Sequence, residues 1–287
     1  MLKKISYIFY KIFKIIDKIF QITLRRNIIG WIKHFIHEDS YKDKIILDKK
    51  VKFFIPNQIT EWRVNNLFEK EPETIDWINS FSNKEKIVFW DIGANIGIYS
   101  IYAAIKHPRC DVVSFEPSTS NLRVLSRNIS INNLENKIKI FSNPLSNKNN
   151  KFLTMKESRF QEGSSFNNFG ENFDFEGKEF KSKMNYQLVG NTIDYLINNQ
   201  ILSLPNYIKI DVDGIEHLIL DGGKDCLINE NVKSISVELN ENFKDQFEAV
   251  MSIMKKCNFH ISSKKHNDAY YEKEEFQKTY NYVFVKR

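Results

Sequence analysis

The sequence predicts an α/β protein built on a Rossmann-like, seven-stranded, mostly parallel β-sheet. Three observations predict this fold. Strand and helix patterns alternate as βαβαβ from Lys86 to Phe141, and a turn containing Gly93 and Gly97 follows the first of these strands. The last two predicted strands lie close together in sequence, which favours an antiparallel pair at one edge of the sheet.

Hydrophobic periodicity places each element of this fold. Short apolar runs predict strands at 87–90, 111–115, 137–141, 207–210, 234–239, 259–262 and 282–285. Amphipathic patterns predict helices at 98–106, 118–132, 192–199, 215–227 and 244–256. Ser118 is the expected N-cap of the second helix. Before the sheet, we expect a short strand at 52–55 and a helix ending near 77–81.

Residues 1–50 are expected to form an N-terminal extension, and residues 51–287 the main domain. Apolar residues recur at helical spacing over residues 2–36, and Lys4, Lys11, Lys18 and Arg25 stand seven residues apart on another stripe. This pattern predicts one or two basic amphipathic helices. Because charged residues interrupt every apolar run, neither a membrane-spanning helix nor a signal peptide is expected.

The role of this extension has two interpretations. Its apolar face could pack against protein, including a second copy in a homo-oligomer, which is the commoner fate of such faces. A basic amphipathic helix can also contact a membrane peripherally, beside anionic lipids. The expected location is cytoplasmic, either in solution or at the inner face of the membrane. Three widely separated cysteines without metal-ligand spacing fit a reducing compartment and argue against a disulfide framework or zinc: Cys110, Cys226 and Cys257.

The positive charge is concentrated in the first 37 residues. Eight Lys and Arg residues against one Asp give this segment a net charge of +7, while the whole chain carries +6, so the remainder carries −1. Proteins that bind nucleic acid usually carry a basic patch on the working domain. The charge distribution therefore predicts no nucleic-acid partner.

The segment 146–190 interrupts the alternation of strands and helices. It is rich in Asn, Lys, Gly, Ser and Phe and has no regular period. Long insertions in compact folds are usually functional or disordered, and the Phe content argues against plain disorder. We expect hairpins and loops that cover the substrate side, with a structurally passive flap as the alternative.

The turn Asp91-x-Gly93-x-Asn95-x-Gly97 lies where doubly wound sheets bind their ligands, at the carboxyl end of a strand. Its glycines would allow close approach of a ligand to the backbone. A nicotinamide cofactor would require Gly-x-Gly-x-x-Gly, and this turn does not match that spacing. The carboxylate of Asp91 suits an amine instead, which favours S-adenosylmethionine as the cofactor.

Two further strand ends supply candidate cofactor ligands. Glu116 follows the second strand, 19 residues beyond Gly97, where an acidic side chain can accept hydrogen bonds from the ribose hydroxyls of an adenosine. Asn143 follows the third strand and could contact the adenine. Glu116 by itself does not distinguish NAD from S-adenosylmethionine.

The fourth strand of the sheet ends in a cluster of ionisable residues, Asp211, Asp213, Glu216 and His217. Methyl transfer to an alcohol benefits from a base that takes the hydroxyl proton, so these four are the catalytic candidates. The alternatives are that Glu216 caps the following helix and that His217 only packs. A divalent metal held by Asp211, Asp213 and Glu238 is a further alternative that the leading interpretation does not require.

Taken together, these residues resemble the FkbM family of S-adenosylmethionine-dependent methyltransferases over Phe89 to Leu239. The resemblance rests on the segments 91–100, 115–118 with Leu122 and Asn128, 192–194 and 208–216. The family more often has Glu where this chain has Asp213. The resemblance implies O-methylation of a sugar, a polyketide or another small hydroxylated molecule.

The leading hypothesis is therefore an S-adenosylmethionine-dependent O-methyltransferase. Its expected acceptor is a sugar of a surface polysaccharide, or the nucleotide-linked precursor of that sugar. Another small hydroxylated metabolite is the first alternative, and a nicotinamide-dependent oxidoreductase is a weaker one. A non-catalytic, membrane-tethered binding module is a further alternative. Asn143-Pro144 lacks the second proline and the aromatic of the base-methylation motif and follows the wrong strand, which disfavours a nucleic-acid methyltransferase.

Overall fold

The computed structural model describes residues 1–82, 84–266 and 276–286. The helices in this part of the chain are α1 (Leu2–Leu24), α2 (Ile28–Glu38), α3 (Gln58–Asn65), α4 (Pro72–Asn79), α5 (Ile98–Lys106), α6 (Thr119–Ile131), α7 (Ile193–Asn198), α8 (Glu216–Asp221), α9 (Lys224–Ile228) and α10 (Lys244–Lys256). The strands are β1 (Tyr41–Ile46), β2 (Lys49–Phe54), β3 (Ile87–Ile92), β4 (Cys110–Phe115), β5 (Ile138–Phe141), β6 (Lys151–Glu157), β7 (Asn167–Phe169), β8 (Met184–Gly190), β9 (Tyr207–Ile210), β10 (Ser234–Asn240), β11 (Phe259–Lys265) and β12 (Thr279–Lys286).

The predicted seven-stranded sheet is confirmed. Among the described residues its order is β11-β12-β10-β9-β3-β4-β5. The strands from β10 to β5 run parallel, and β12 is antiparallel to both of its neighbours. The chain adds strands on one side of β3 and later returns to the other side with β9, so the topological switch point lies between β3 and β9.

Two apolar cores cover the two faces of this sheet. Successive side chains of a strand point to opposite faces, and on β3 Phe89 belongs to one core while Trp90 belongs to the other. The first core is completed by α4, α5, α6 and β2, and the second by α7 to α10. Both faces are thus buried, as parallel sheets require.

The strand predicted at 52–55 corresponds to the end of β2, and the rest of the hairpin β1–β2 was not predicted. Leu47 and Asp48 connect the strands with φ values of 50° and 63°, the left-handed pair of a tight hairpin turn. The hairpin is fixed to α6, because the side chain of Asn128 accepts a hydrogen bond from the backbone N–H of Phe54 at 2.7 Å. The helical part of the N-terminal extension therefore ends at Glu38, and β2 runs through position 50.

The predicted helix at 215–227 is wrong in one respect, because the structure divides it into α8 and α9. The break falls at Gly222 and Gly223. A Cβ on Gly222 would lie 2.4 Å from the carbonyl oxygen of Ser146, so the chain approaches the start of the insertion too closely for any other residue. The glycine pair was the signal in the sequence.

The insertion 146–190 contains a second, three-stranded antiparallel sheet of order β7-β6-β8. Met155 and Phe169 are buried in the same core as Trp90, so the segment packs on the domain.

At the N-terminal end of the chain, α1 and α2 form a helical hairpin. No helix in the described part of the chain combines the length and the apolar character that crossing a membrane requires.

Candidate active site

A cavity of about 430 Å³ lies at the carboxyl ends of β3, β4, β5 and β9. Six of the predicted site residues line it: Gly93, Asn95, Glu116, Asn143, Asp211 and Asp213. The insertion covers it with Ser164 and Phe166, among others. Of the other predicted residues, Asp91, Gly97, Glu216 and His217 lie outside its lining. A volume of this size accommodates a ligand as large as a nucleoside.

Asp91 is completely buried at the end of β3. Its Oδ2 accepts a hydrogen bond from Ser100 Oγ at 2.6 Å, and Ser114 Oγ lies 2.6 Å beyond. Burial raises the pKa of Asp91, and the nearby ammonium of Lys209 opposes this rise. Asp91 thus fixes the start of α5 from below the cavity.

The two glycines of the turn are required by protein packing. A Cβ on Gly93 would lie 1.9 Å from the carbonyl oxygen of Asp211, and a Cβ on Gly97 would lie 2.5 Å from Leu125 Cδ1. Both residues have positive φ, at 85° and 88°, where a side chain is strained. The atoms closest to these positions belong to the turn after β9 and to α6, and Gly93 also lines the cavity.

Asn95 and Glu116, which follow β3 and β4, form a polar part of the cavity wall. The backbone N–H of Asn95 donates to Glu116 Oε2 at 2.8 Å, and the N–H of Ser118 donates to Oε1 at 2.8 Å. The Asn95 amide donates to the carbonyl oxygen of Ser164 at 2.9 Å, which ties the insertion to the turn. Burial raises the pKa of Glu116 to about 8, although these N–H groups oppose the rise. Further along, the amide of Asn143 donates to Asn191 Oδ1 at 3.0 Å.

Asp211 follows β9 and forms an ion pair with Lys209. The Nζ of Lys209 donates to Asp211 Oδ2 at 2.7 Å, and the Lys209 side chain is only 1% exposed. Burial alone would raise the pKa of Asp211, but the charge and hydrogen bond of Lys209, together with the charges of Lys70 and Arg63, outweigh burial and lower that pKa to about 2. Asp211 therefore stays ionised while it faces the cavity.

Further charged groups surround this pair on the cavity wall. Lys70 forms an ion pair with Glu71, and the ring of Tyr99 lies 5.1 Å from Lys209 Nζ. Carboxylate oxygens of Glu71, Asp211 and Glu238 lie within 4.8 Å of one another. Burial and the charge of Asp211 raise the pKa of Glu238 well above its usual value. Glu71 is paired with the ammonium of Lys70, and Asp211 is paired with that of Lys209.

Asp213 binds the backbone of the insertion. Its Oδ2 accepts hydrogen bonds from the N–H groups of Phe166 at 2.7 Å and Asn167 at 3.4 Å. Its backbone is left-handed, with φ 64°, and burial together with the charge of Asp211 raises its pKa to about 6. Asp213 thus lines the cavity and holds the insertion over it.

Glu216 and His217 lie behind the cavity wall. Glu216 accepts hydrogen bonds from the N–H groups of Val212 and Gly214 at 3.1 Å and from the amide of Gln246 at 2.6 Å, so it organises the turn that carries Asp211 and Asp213. Burial raises the pKa of Glu216 to about 7. The ring of His217 lies against those of Phe173 and Phe243, each at 6.2 Å. Neither residue reaches the cavity from these positions.

The sequence profile of the methyltransferase FkbM domain matches residues 91–261, more than half of the chain. The chain belongs to the FkbM methyltransferase family. Methyltransferase sdnD of Sordaria araneosa is 45% identical over 42 residues, which cover 15% of this chain and 16% of that protein. The chain therefore matches only a small part of that relative.

Two solved structures are similar in outline to this FkbM chain. Methyltransferase FkbM from Methylobacillus flagellatus KT has a TM-score of 0.48 at 15% identity, over 79% of this chain and 52% of that one. Precorrin-6y C5,15-methyltransferase from Geobacter metallireducens GS-15 has a TM-score of 0.43 at 12% identity, over 75% of this chain and 87% of that one.

The cavity of this FkbM domain has polar atoms that suit a polar cofactor. Asn95 Oδ1 and Ser164 Oγ are buried without a hydrogen-bond partner among the described residues, and both residues line the cavity beside Glu116. Buried polar atoms usually have partners. Asn95 Oδ1 can accept a hydrogen bond, and Ser164 Oγ can donate or accept one. Both atoms can therefore bind polar groups of an adenosine cofactor, such as its amine, ribose or base.

Sequence reasoning missed Lys70, Glu71, Tyr99 and Lys209. Lys209 was detectable, because a lysine inside the apolar strand Tyr207–Ile210 must point to the same side as Asp211, two residues on. Lys70 and Glu71 gave no such signal. They lie in the mixed region before α4, and only the folding of that region against the sheet brings them to Asp211.

Proposed function

We propose that this protein transfers a methyl group from S-adenosylmethionine to a hydroxyl group of a sugar or a similar small hydroxylated molecule. One observation carries the proposal. A single cavity is lined both by the hydrogen-bonded pair Asn95 and Glu116 and by the ion pair Lys209 and Asp211. The first suits an adenosine, and the second suits a group that must lose a proton.

The cofactor would be held by the turn 93–95, Glu116 and Asn143. Glu116 has acceptor capacity left after its two backbone hydrogen bonds, because a carboxylate offers about four lone-pair sites. When bound, S-adenosylmethionine supplies an electrophilic methyl group on a sulfonium. The neighbouring carboxylates favour a positive charge at that place.

Asp211 would accept the proton of the acceptor hydroxyl. As the oxygen forms its new bond to carbon, its proton becomes far more acidic than a carboxylic acid, so even a carboxylate with a low pKa takes it. Lys209 holds the Asp211 carboxylate in place and keeps it ionised. Glu71 and Glu238 can accept hydrogen bonds from other hydroxyls of the acceptor.

Three aromatic side chains support a sugar as the acceptor. Phe166, Phe175 and Phe276 line the cavity, and their ring centroids lie 5.3 to 6.1 Å apart. Such rings bury the apolar C–H face of a sugar, while the charged groups that line the same cavity bind its hydroxyls. Arg63 and Arg159 also line the cavity, where they would attract the phosphates of a nucleotide-linked sugar.

The test combines cofactor binding with turnover. Calorimetry with S-adenosylhomocysteine and with NAD should show binding of the former alone; binding of NAD alone would overturn the proposal in favour of an oxidoreductase. Radiolabelled methyl transfer to a panel of free sugars, nucleotide sugars and polyketide alcohols then identifies the acceptor class. Asp211→Asn should keep S-adenosylhomocysteine binding and lose turnover, and full turnover in that variant would show that the base lies elsewhere.

A further inference from the structure

The helical hairpin α1–α2 presents a large apolar surface to solvent. Eight apolar residues of α1 are between 38% and 64% exposed: Ile5, Ile8, Phe9, Ile12, Phe13, Ile15, Ile16 and Ile19. Within α1 and α2, both described in full, Asp17 is the single buried residue. The packing between the two helices therefore leaves the apolar face of α1 uncovered.

The apolar residues of α1 lie on one side of the helix. At about 100° per residue, the eight side chains occupy an arc of roughly 160°. The lysines occupy the opposite side, at positions 3, 4, 11, 14 and 18. A coiled coil uses two positions in seven, so the contact between two paired helices is narrower than this arc. One partner helix would therefore cover only part of the apolar side of α1.

The charge of the hairpin is almost entirely positive. Asp17 is the only acidic residue before Glu38, and it is used inside the hairpin. Its Oδ1 accepts hydrogen bonds from the N–H groups of Ile28 and Ile29 at 2.7 and 2.9 Å, and its Oδ2 accepts from Gln21 at 2.7 Å. Asp17 therefore fixes the start of α2 from the inner side of the hairpin, and the lysine side of α1 contains no acid.

Aromatic residues extend the exposed surface. Tyr10 lies between the lysines and the apolar arc, and Tyr7 lies among the lysines. Lys14 lies over the ring of Tyr10 at 5.7 Å, and Lys11 lies over the ring of Tyr7 at 5.3 Å. On α2, Trp31 is 64% exposed. Tyr and Trp suit the boundary between headgroups and acyl chains, because each has an apolar ring and a polar atom.

We propose that α1 lies in the interface of an anionic lipid membrane, with its apolar arc in the acyl region and its lysines among the headgroups. A surface of negative charge complements the +7 of residues 1–37, whereas a second copy would bring the same charge to the contact. The hairpin is joined to the catalytic domain at α2, where Arg127 Nη1 lies 2.6 Å from His37 Nε2. The bound hairpin would hold the cavity beside the membrane.

The test is co-sedimentation of the full chain with vesicles. One set contains phosphatidylglycerol and phosphatidylcholine, and the other contains phosphatidylcholine alone. We expect binding to the anionic set, weakening as salt rises, with a blue shift of Trp fluorescence. Replacing four α1 lysines by glutamine should weaken this binding about tenfold or more; the positions are Lys4, Lys11, Lys14 and Lys18.

A matched control separates the hairpin from overall charge. It carries the same number of lysine-to-glutamine changes at exposed positions outside α1 and α2: Lys49, Lys139, Lys181 and Lys255. This control should bind vesicles as the wild type does. An equal loss in both variants would overturn the proposal, since binding would then follow net charge alone.

A second variant tests the apolar arc. The double variant Ile12→Ser with Ile16→Ser should bind vesicles more weakly than the wild type. Light scattering should show that both the wild-type protein and the variant are monomers. A wild-type dimer that the double variant converts to a monomer, without vesicle binding by either, would instead assign the arc to a second copy and overturn the proposal.

Discussion

The ammonium of Lys209 lies 2.7 Å from a carboxylate oxygen of Asp211, and both side chains belong to the end of β9 beside the cavity. The pair is almost entirely removed from water on the lysine side. This arrangement keeps Asp211 ionised where a carboxylate would otherwise tend to bind a proton.

The first prediction concerns Lys209→Met, which keeps the volume of the side chain and removes its charge. Burial then raises the pKa of Asp211, so the acidic limb of kcat/KM against pH should move upward from below the measurable range. We expect the free energy of unfolding to fall by about 3–5 kcal/mol, because a buried charge loses its partner. Lys137→Met is the control, since Lys137 binds the carbonyl oxygen of Ala104. An acidic limb that does not move would contradict the assigned role of Lys209.

The second prediction concerns Glu116, whose pKa is raised to about 8 by burial. Hydrogen bonds from ribose hydroxyls favour the ionised form, so binding of S-adenosylhomocysteine at pH 7 should release protons and should tighten as pH rises through 8. Glu116→Gln should weaken binding about tenfold or more and remove this proton release. Calorimetry in buffers of different ionisation enthalpy measures both effects; identical proton release in the variant would show that another group is responsible.

The third prediction concerns the attachment of the insertion by Asp213. Asp213→Ala leaves the N–H groups of Phe166 and Asn167 without their acceptor and places alanine at φ 64°. We expect a loss of about 1–3 kcal/mol in the free energy of unfolding, faster proteolysis within 146–190 and a higher KM for the acceptor. Asp213→Asn keeps one acceptor oxygen and tolerates the left-handed backbone, so it should lie between the wild type and Asp213→Ala in urea unfolding. Equal stability of Asn and Ala variants would argue against the anchoring contact.

The fourth prediction compares two glycines. Gly93→Ala places a Cβ 1.9 Å from the backbone of Asp211, so it should displace that residue, lower the melting temperature and reduce turnover. Gly30→Ala is the matched control, because its nearest neighbour would lie at 3.6 Å and alanine favours the helix by about 1 kcal/mol. Gly30→Ala should therefore retain full turnover. If Gly93→Ala were as stable and active as Gly30→Ala, the close approach of the two turns would be wrong.

The fifth prediction separates two candidates for the base. His217→Gln should keep kcat within about twofold, because His217 packs against Phe173 and Phe243 outside the cavity. Asp211→Asn should lower kcat by about 10²–10⁴, the usual contribution of a general base. Steady-state assays on the identified acceptor decide the matter, and the reverse ranking would assign the proton transfer to His217.

The sequence by itself determined the seven mostly parallel strands of the main sheet, the antiparallel pair that closes one edge, and the strand ends at which the cavity lies. Apolar runs report the strands, and residues that follow parallel strands must meet at one edge, so Asn95, Glu116, Asn143 and Asp211 were found without coordinates. These signals are local, because each depends on residues within one strand and its following turn.

Only the tertiary structure decided what those residues contact. In the structure Lys70 and Glu71 lie beside Asp211 on the cavity wall. Asp213 binds the backbone of the insertion. His217 lies outside the cavity lining. It also shows that the backbone of Asp211 occupies the space where a Cβ on Gly93 would lie. Each of these contacts joins segments far apart in the chain or depends on the exact path of a turn. Hydrophobic periodicity carries no record of such contacts, because it reports which face of an element is buried and not which atoms bury it.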